Sequence, residues 1–326
     1  MQGLVTVFGG SGFIGTQVTR ALARQGYRVR VAVRRPGLGY KLPLMGDVGQ
    51  IEVVQANLRS PDSIARALEG AEACVNLVGV LYESGRQRFQ SLHAKGAEEI
   101  AAACAKLGVQ RLVQVSALGA DPEARSKYAR TKGEGEAGVR RHMPKAVILR
   151  PSVVFGPDDE LFNRFAALAS LLPVMPLPGG GATRFQPVFV GDLAAATANA
   201  VREPSAAGKT FEIGGPEAYT YRQMVEMTLA EIHKTRPLLS LPWPLAALVG
   251  AIGDLQAKLL PIPPVLTSDQ VLMLRQDNTP SAGAPGLKAL GVSAPTAVEG
   301  IIPTYLYRYR RGGQFAEAPM VSGSGA

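Results

Sequence analysis

The sequence predicts an α/β protein: a doubly wound parallel sheet covered by helices on both faces, with a smaller C-terminal lobe. Three observations predict it. An apolar, β-branched run at residues 4–8 leads straight into glycines at 9, 12 and 15 and then into a helix-like stretch over 16–25. Short apolar runs then alternate with helical stretches as far as residue 215, the pace of strand–helix–strand units whose parallel strands are buried on both faces. From Pro237 the composition shifts toward Pro and Leu, which marks a different packing unit.

The 326 residues, 46% hydrophobic and 19% charged, suffice for one large α/β domain with an appended lobe. The formal net charge of +9 suits anionic cofactors, anionic lipid surfaces or acidic protein partners. No nucleic-acid-binding motif accompanies it, so nucleic acid is not an expected partner. Cys74 lies in a strand-like run and Cys104 in an alanine-rich helix, and both read as small buried residues of a reducing compartment. His93, His142 and His233 lack ligand spacing, so no metal is expected. The first strand starts too early to leave room for a signal peptide, and no apolar run reaches the length of a membrane span. The cytosolic side is the expected address.

In chain order, residues 9–15 read Gly9-Gly10-Ser11-Gly12-Phe13-Ile14-Gly15. After a strand and before a helix, one glycine allows the tight turn, one lets backbone approach a pyrophosphate, and one lets the helix lie close on the strand. The helix N-terminus then offers free N–H groups to phosphate. This sheet is therefore expected to be of the Rossmann type and to bind a dinucleotide. A second strand at 27–33 ends in Arg34-Arg35. An acidic residue there would meet a ribose 2′-hydroxyl, whereas a basic one suits a 2′-phosphate, so NADP(H) is expected over NAD(H). A looser segment over 36–50 follows. The third strand, 51–55, runs into Ala56-Asn57-Leu58, with Asn57 and Leu58 expected at the adenine. A helix starts at Pro61, where a first-turn proline is welcome, and runs to about 69. The fourth strand, 73–78, ends at Gly79, which places Val78 and Gly79 beside the nicotinamide half. A helix over 91–107 and a strand over 111–115 lead to Ser116.

Ser126-Lys127-Tyr128-Ala129-Arg130-Thr131-Lys132 opens the next helix. Tyr128 and Lys132, four residues apart, share a helix face. A lysine ammonium there is expected to lower the phenol pKa toward neutrality, letting Tyr128 exchange a proton while nicotinamide exchanges a hydride. Lys132 can also hold ribose hydroxyls, and Ser116 can orient a carbonyl. With the N-terminal glycines, these residues resemble the short-chain dehydrogenase/reductase superfamily in its extended or atypical branch. So do Arg150-Pro151-Ser152-Val153-Val154-Phe155-Gly156-Pro157, Pro187-Val188-Phe189-Val190-Gly191-Asp192 and the run 209–215. The resemblance covers about residues 3–235 and implies that Pro151 and Val153 line the cofactor. Within that branch the chain looks most like the nucleotide-binding accessory subunits of respiratory complex I. It also resembles an oxidoreductase-like protein of ubiquinone biosynthesis. The residues behind this are Met45-Gly46-Asp47-Val48-Gly49-Gln50, Val75-Asn76-Leu77-Val78-Gly79, Ser126-Lys127-Tyr128, Val154-Phe155-Gly156-Pro157-Asp158-Asp159 and Phe162-Asn163-Arg164-Phe165.

That resemblance implies a tightly held nucleotide with little or no turnover. It also implies core subunits of the peripheral arm as partners, contact with anionic lipid, and a peripheral place on the cytoplasmic side of the inner membrane. The alternative it leaves open is an active NADP-dependent reductase or epimerase. Tyr128 follows Ser116 by only twelve positions, so the substrate-side loop is trimmed relative to the enzymes.

The expected division is a nucleotide domain over 1–216, with 161–183 on the substrate side, a C-terminal lobe over 217–311 and a disordered tail over 312–326. Pro242-Trp243-Pro244 introduces an apolar helix, either packed on the core or facing a partner or membrane interface. Tyr305-Leu306-Tyr307-Arg308-Tyr309-Arg310-Arg311 could stack on a base, meet head groups or dock a protein.

Overall fold

The computed structural model describes residues 2–260 and 262–315. Its first half alternates β1 (Gln2–Phe8), α1 (Phe13–Arg24), β2 (Tyr27–Val33), β3 (Ile51–Gln55), α2 (Pro61–Leu68), β4 (Ala73–Asn76), α3 (Lys95–Lys106), β5 (Arg111–Val115), α4 (Lys127–His142) and β6 (Val147–Pro151). The strand Thr210–Ile213 completes a seven-stranded sheet in the order Thr210–Ile213, β6, β5, β4, β1, β2, β3. All neighbouring pairs are parallel. The order reverses between β1 and β4, the switch point at which open α/β sheets bind ligands beyond their carboxyl ends.

Successive strand residues feed opposite cores, as the two-residue period requires. Val5, Val7, Val29 and Val31 pack with Val18 and Leu22 of α1 and with Leu193 of α6 (Val190–Arg202). Phe8, Ala32, Cys74 and Leu112 pack with α2 and α3 through Ile64, Leu68 and Ile100. The strands expected at 27–33, 51–55 and 111–115 form with those bounds. The fourth stops at Asn76, short of the expected 78. Asn76 Nδ2 donates to Gln114 Oε1 at 2.8 Å while its Oδ1 accepts the Val78 N–H at 3.1 Å, so the chain turns away from the ladder. The helix expected from Ser91 opens with a single π turn, Gln90–Ala94, before α3 begins.

A second core joins two distant stretches. Phe155, Phe162, Phe165, Met175 and Leu177 from the segment after β6 pack with Met224 and Leu229, and with Val298, Ile302, Tyr305 and Leu306. The helices that feed it are α5 (Phe162–Leu171) and α7 (Tyr221–Glu231), while α8 (Trp243–Leu259) and α9 (Ser268–Met273) follow in the chain and pack on each other. The chain then returns to the sheet, where Leu287 and Leu290 join the first core and the Glu212 N–H donates to Pro285 O at 2.9 Å.

The Tyr/Arg run is engaged within the molecule. Tyr305 is buried and its hydroxyl donates to Asp159 Oδ2 at 2.5 Å. Arg308 donates to Pro157 O and Asn163 Oδ1, and Arg310 pairs with Glu231. Of the tail expected to be disordered, Gly313–Phe315 forms one 3-10 turn, and residues 316–326 lie outside the described residues.

Helix α8 reverses the usual pattern of a surface helix. Ala246, Gly250, Gly253 and Ala257 face inward, whereas Leu248, Ile252, Leu255 and Leu259 are each more than half exposed. The glycines set this orientation, because a Cβ at Gly253 would lie 1.8 Å from Leu266 O and one at Gly250 2.9 Å from Ser268 Cα. Among the described residues no helix is long and apolar enough to cross a membrane.

Candidate functional site

The glycine turn forms a cradle whose two sides differ. Gly9 has φ +80° and its carbonyl accepts the Gly12 N–H at 3.1 Å. A Cβ at Gly15 would lie 2.2 Å from Gly9 O, and one at Gly10 2.6 Å from a Val31 methyl, so these two positions hold α1 against the strands. A Cβ at Gly12 would meet only Gly9 O, at 3.4 Å, and its other side is open. Ser11 is exposed, while Phe13 and Ile14 are half-buried. α1 has neither a side-chain N-cap nor an acidic residue in its first turn, which leaves its first N–H groups for an anion.

At the neighbouring strand ends, Arg34 and Arg35 are exposed, and Arg34 Nη2 donates to Gln87 Oε1 at 3.3 Å. Asn57 Oδ1 accepts the Arg59 N–H at 3.1 Å, a local turn that spends its acceptor. Leu58 packs against α3, 2.9 Å from where a Cβ at Gly96 would stand.

The expected nicotinamide end gathers around Gly79. A Cβ there would lie 3.4 Å from Lys132 Nζ and 3.8 Å from His93 Nε2. Val78 is half-buried. The cleft beyond is lined by Gly79, Val80, Tyr82, Ser84, Gln87 and Glu160. Lys132 Nζ donates to Val115 O at 3.4 Å. The Ser116 hydroxyl is buried without a partner, a cost of about 1–3 kcal/mol that a ligand hydrogen bond would remove. Pro151 O accepts the Leu118 N–H, and Val153 O accepts the Val188 N–H, each at 3.0 Å. The unpartnered Ser116, the open side of Gly12 and the uncapped α1 N-terminus fit a nicotinamide dinucleotide lying across the switch point.

The expectation that Lys132 lowers the Tyr128 pKa is corrected. Lys132 Nζ stands 5.8 Å from the phenol ring centroid. Burial, and then the Asp269 carboxylate, push the phenol up to about 12. Burial pushes Lys132 down to about 8, opposed in part by Glu136. Desolvation outweighs the lysine's charge here, so Tyr128 is held as the neutral phenol.

Three features of the site were not read from the sequence. His93, set aside there as an isolated histidine, is buried beside Tyr128 with ring centroids 5.2 Å apart, and it stacks on Phe89. Its Nε2 accepts the Val80 N–H at 3.1 Å, which assigns the proton to Nδ1, facing Thr131 Oγ1 at 3.3 Å. It thus fixes the peptide after Gly79. The second feature is Asp269, which reaches α4 from the C-terminal lobe. The third is a line of glycines on α4: a Cβ at Gly135 would lie 2.2 Å from His93 O, and one at Gly138 2.9 Å from Glu98 Cβ.

Burial, with Lys132 second, drives the His93 pKa down to about 2. Unfolded, the ring titrates near 6.5, so between these values the unfolded chain takes up a proton that the folded chain refuses. Stability from this group is complete above about pH 6.5 and is expected to fall by about 1.4 kcal/mol per unit below it. Urea midpoints at pH 7.5 and 5.5 test this: the drop in wild type is expected to shrink in His93→Asn, and an equal drop in both would reject it.

The sequence profile described as the NAD dependent epimerase/dehydratase family matches residues 5–214. The chain is 33% identical over 321 residues to a protein of Arabidopsis thaliana named NADH dehydrogenase (ubiquinone) 1 alpha subcomplex subunit 9, mitochondrial, covering 96% of this chain and 80% of that relative. It is 31% identical over 283 residues to the ceramide reductase of Caulobacter vibrioides, covering 86% of this chain and 87% of the relative. The fold superposes on the dTDP-glucose 4,6-dehydratase DesIV of Streptomyces venezuelae, solved with NAD and TYD bound, with a TM-score of 0.71 at 18% identity over 95% of this chain and 98% of that one. Strand order, glycine cradle and profile agree: the chain belongs to the NAD dependent epimerase/dehydratase family, the extended branch of the short-chain dehydrogenases/reductases.

Proposed function

We propose that this protein is an accessory subunit of respiratory complex I that holds NADP(H) as a structural ligand, with little or no turnover. The observation that carries this reading is the match to a mitochondrial NADH dehydrogenase subunit along 96% of the chain. Two features support it. Burial and Asp269 raise the Tyr128 pKa, which disfavours the phenolate near neutral pH. The exposed Leu/Ile face of α8 suits a hydrophobic partner surface or the anionic lipid interface beside it. Gly9, Gly10, Ser11, Gly12, Phe13, Ile14 and Gly15 would cradle the pyrophosphate. Arg34 and Arg35 would take the 2′-phosphate, with Asn57 and Leu58 at the adenine. Val78, Gly79, Lys132, Pro151 and Val153 would enclose the nicotinamide half. A ligand that binds only the folded chain stabilises it by mass action, so such a nucleotide can be structural.

A second reading, an active NADP-dependent reductase, is favoured by Ser116, Tyr128 and Lys132 lying toward the end where the nicotinamide is expected and by the similarity to a ceramide reductase. The nicotinamide would then supply the hydride, Ser116 would orient a carbonyl, and Tyr128 would hand over the proton.

Gentle detergent extraction of native membranes, with mass spectrometry and nucleotide analysis of whatever carries this chain, separates the two. The accessory reading expects complex I subunits and stoichiometric NADP(H), whereas a soluble, solitary chain with exchangeable nucleotide would overturn it. Cofactor choice is tested separately. Arg34→Asp is expected to weaken NADPH relative to NADH by about tenfold or more, the loss of one charge-assisted contact to phosphate. Unchanged preference in a fluorescence titration would remove the NADP assignment.

A further inference from the structure

We propose that Asp269 is a positioning residue of the nucleotide site, through which the C-terminal lobe sets where Tyr128 and Lys132 stand. The proposal rests on the nucleotide reading above.

The first turn of α4 carries Tyr128 and contains no acidic residue of its own. Its amides instead meet a carboxylate that lies about 140 residues further along the chain. Asp269 Oδ1 accepts the Lys127 N–H at 2.6 Å, and Oδ2 accepts the Tyr128 N–H at 3.0 Å and the Ser126 hydroxyl at 2.8 Å. Ser126 Oγ in turn accepts the Ala129 N–H at 3.2 Å. The orphan donors of the turn are thus satisfied in one network, and the negative charge lies at the positive end of α4.

The rest of α4 is held differently. A Cβ at Gly133 would lie 2.5 Å from the Asp121 backbone, and those at Gly135 and Gly138 would strike His93 O and Glu98. Close packing therefore fixes α4 from Gly133 onward, whereas the free amides of its first turn, Lys127 and Tyr128, find their acceptors in Asp269.

Asp269 is itself well anchored. α9 has a capping box between Thr267 and Gln270, Val271 is buried, and the Ser268 N–H donates to Asp254 Oδ1 of α8 at 3.3 Å. The inward glycines of α8 rest on Leu266 and Ser268. A short path of hydrogen bonds and close packing therefore runs from α8 through α9 to Tyr128.

Tyr128 and Lys132 stand at the nicotinamide end, whereas the cradle and Arg34 serve the adenosine end, and this division supplies the test. The full-length wild type, Asp269→Ala and Asp269→Asn would be titrated with NADPH and with 2′,5′-ADP, which lacks the nicotinamide half. Asp269→Ala is expected to raise the Kd for NADPH by about tenfold, the scale of one lost charge-assisted cap, and to leave that for 2′,5′-ADP within about twofold. Asp269→Asn keeps the shape and one acceptor oxygen but loses the charge and the second acceptor. It is expected to fall between the two, and it carries the comparison if the alanine variant does not fold. NADPH affinity unchanged in both variants, or both ligands weakened alike, would overturn the proposal. A wild type that binds neither ligand would overturn the nucleotide reading, and this inference with it.

Discussion

Gly15→Ala is expected to abolish tight nucleotide binding and to lower stability by about 2–3 kcal/mol, the scale of overpacking a tight contact. The added methyl would stand 2.2 Å from Gly9 O, 2.6 Å from Gly10 Cα and 2.8 Å from Gly10 C. All three are backbone atoms of the cradle, so no side-chain rotation can relieve the contact. α1 must move away from the turn after β1, and its N-terminal amides move with it. Gly12→Ala is the control that separates binding from folding. Its methyl would meet only Gly9 O at 3.4 Å, an ordinary contact, and it would sit on the open side where the pyrophosphate is expected. Thermal melts should show Gly15→Ala destabilised and Gly12→Ala near wild type, with nucleotide titration failing in both. A Gly15→Ala protein that melts and binds like wild type would remove the cradle from the account.

The contrast between what was legible and what was not follows from distance along the chain. The bounds of β2, β3 and β5, the glycine cradle and the shared face of Tyr128 and Lys132 are local properties, set by β-branched runs, a turn that needs glycine and a helical repeat. His93 could not be read in the same way. Its role depends on burial and on two partners, Val80 and Thr131, brought together by packing of the π turn on α4. The Tyr128 pKa failed as an expectation because spacing reports that a lysine is near, but not that the phenol is desolvated or that Asp269 lies behind it. The Tyr/Arg run illustrates the same limit. Its composition suits several external partners, and only the fold reveals that Tyr305, Arg308 and Arg310 are engaged by Asp159, Asn163 and Glu231.

Asp159→Ala is expected to destabilise the C-terminal lobe by about 3–5 kcal/mol, the range for removing one member of a buried charged network. Asp159 is almost fully buried. Its Oδ2 accepts the Gly156 N–H at 3.1 Å and the Tyr305 hydroxyl at 2.5 Å, and its Oδ1 accepts the Leu161 and Asn163 N–H groups, each at 3.0 Å. Burial lifts the carboxyl above its ordinary pKa, and the donated hydrogen bonds pull it back. Alanine removes these acceptor contacts, and a longer one from Asn163 Nδ2 at 3.4 Å, while the donors remain, the costly way to break a polar cluster because each orphaned donor keeps its desolvation penalty. Tyr305→Phe removes only one donor together with its need for a partner, so its expected cost is smaller, about 1–2 kcal/mol. The double variant should cost less than the sum of the singles, because the orphaned phenol of Asp159→Ala is absent from it. Urea unfolding of the four proteins measures this directly. The lobe also carries α9, and α5 meets the α8–α9 connection where Arg164 donates to Pro264 O. Loss of Asp159 should therefore weaken NADPH binding more than 2′,5′-ADP binding. If instead Asp159→Ala unfolds within about 1 kcal/mol of wild type, the scale of a single ordinary hydrogen bond, the hub is not what joins the two segments of the second core.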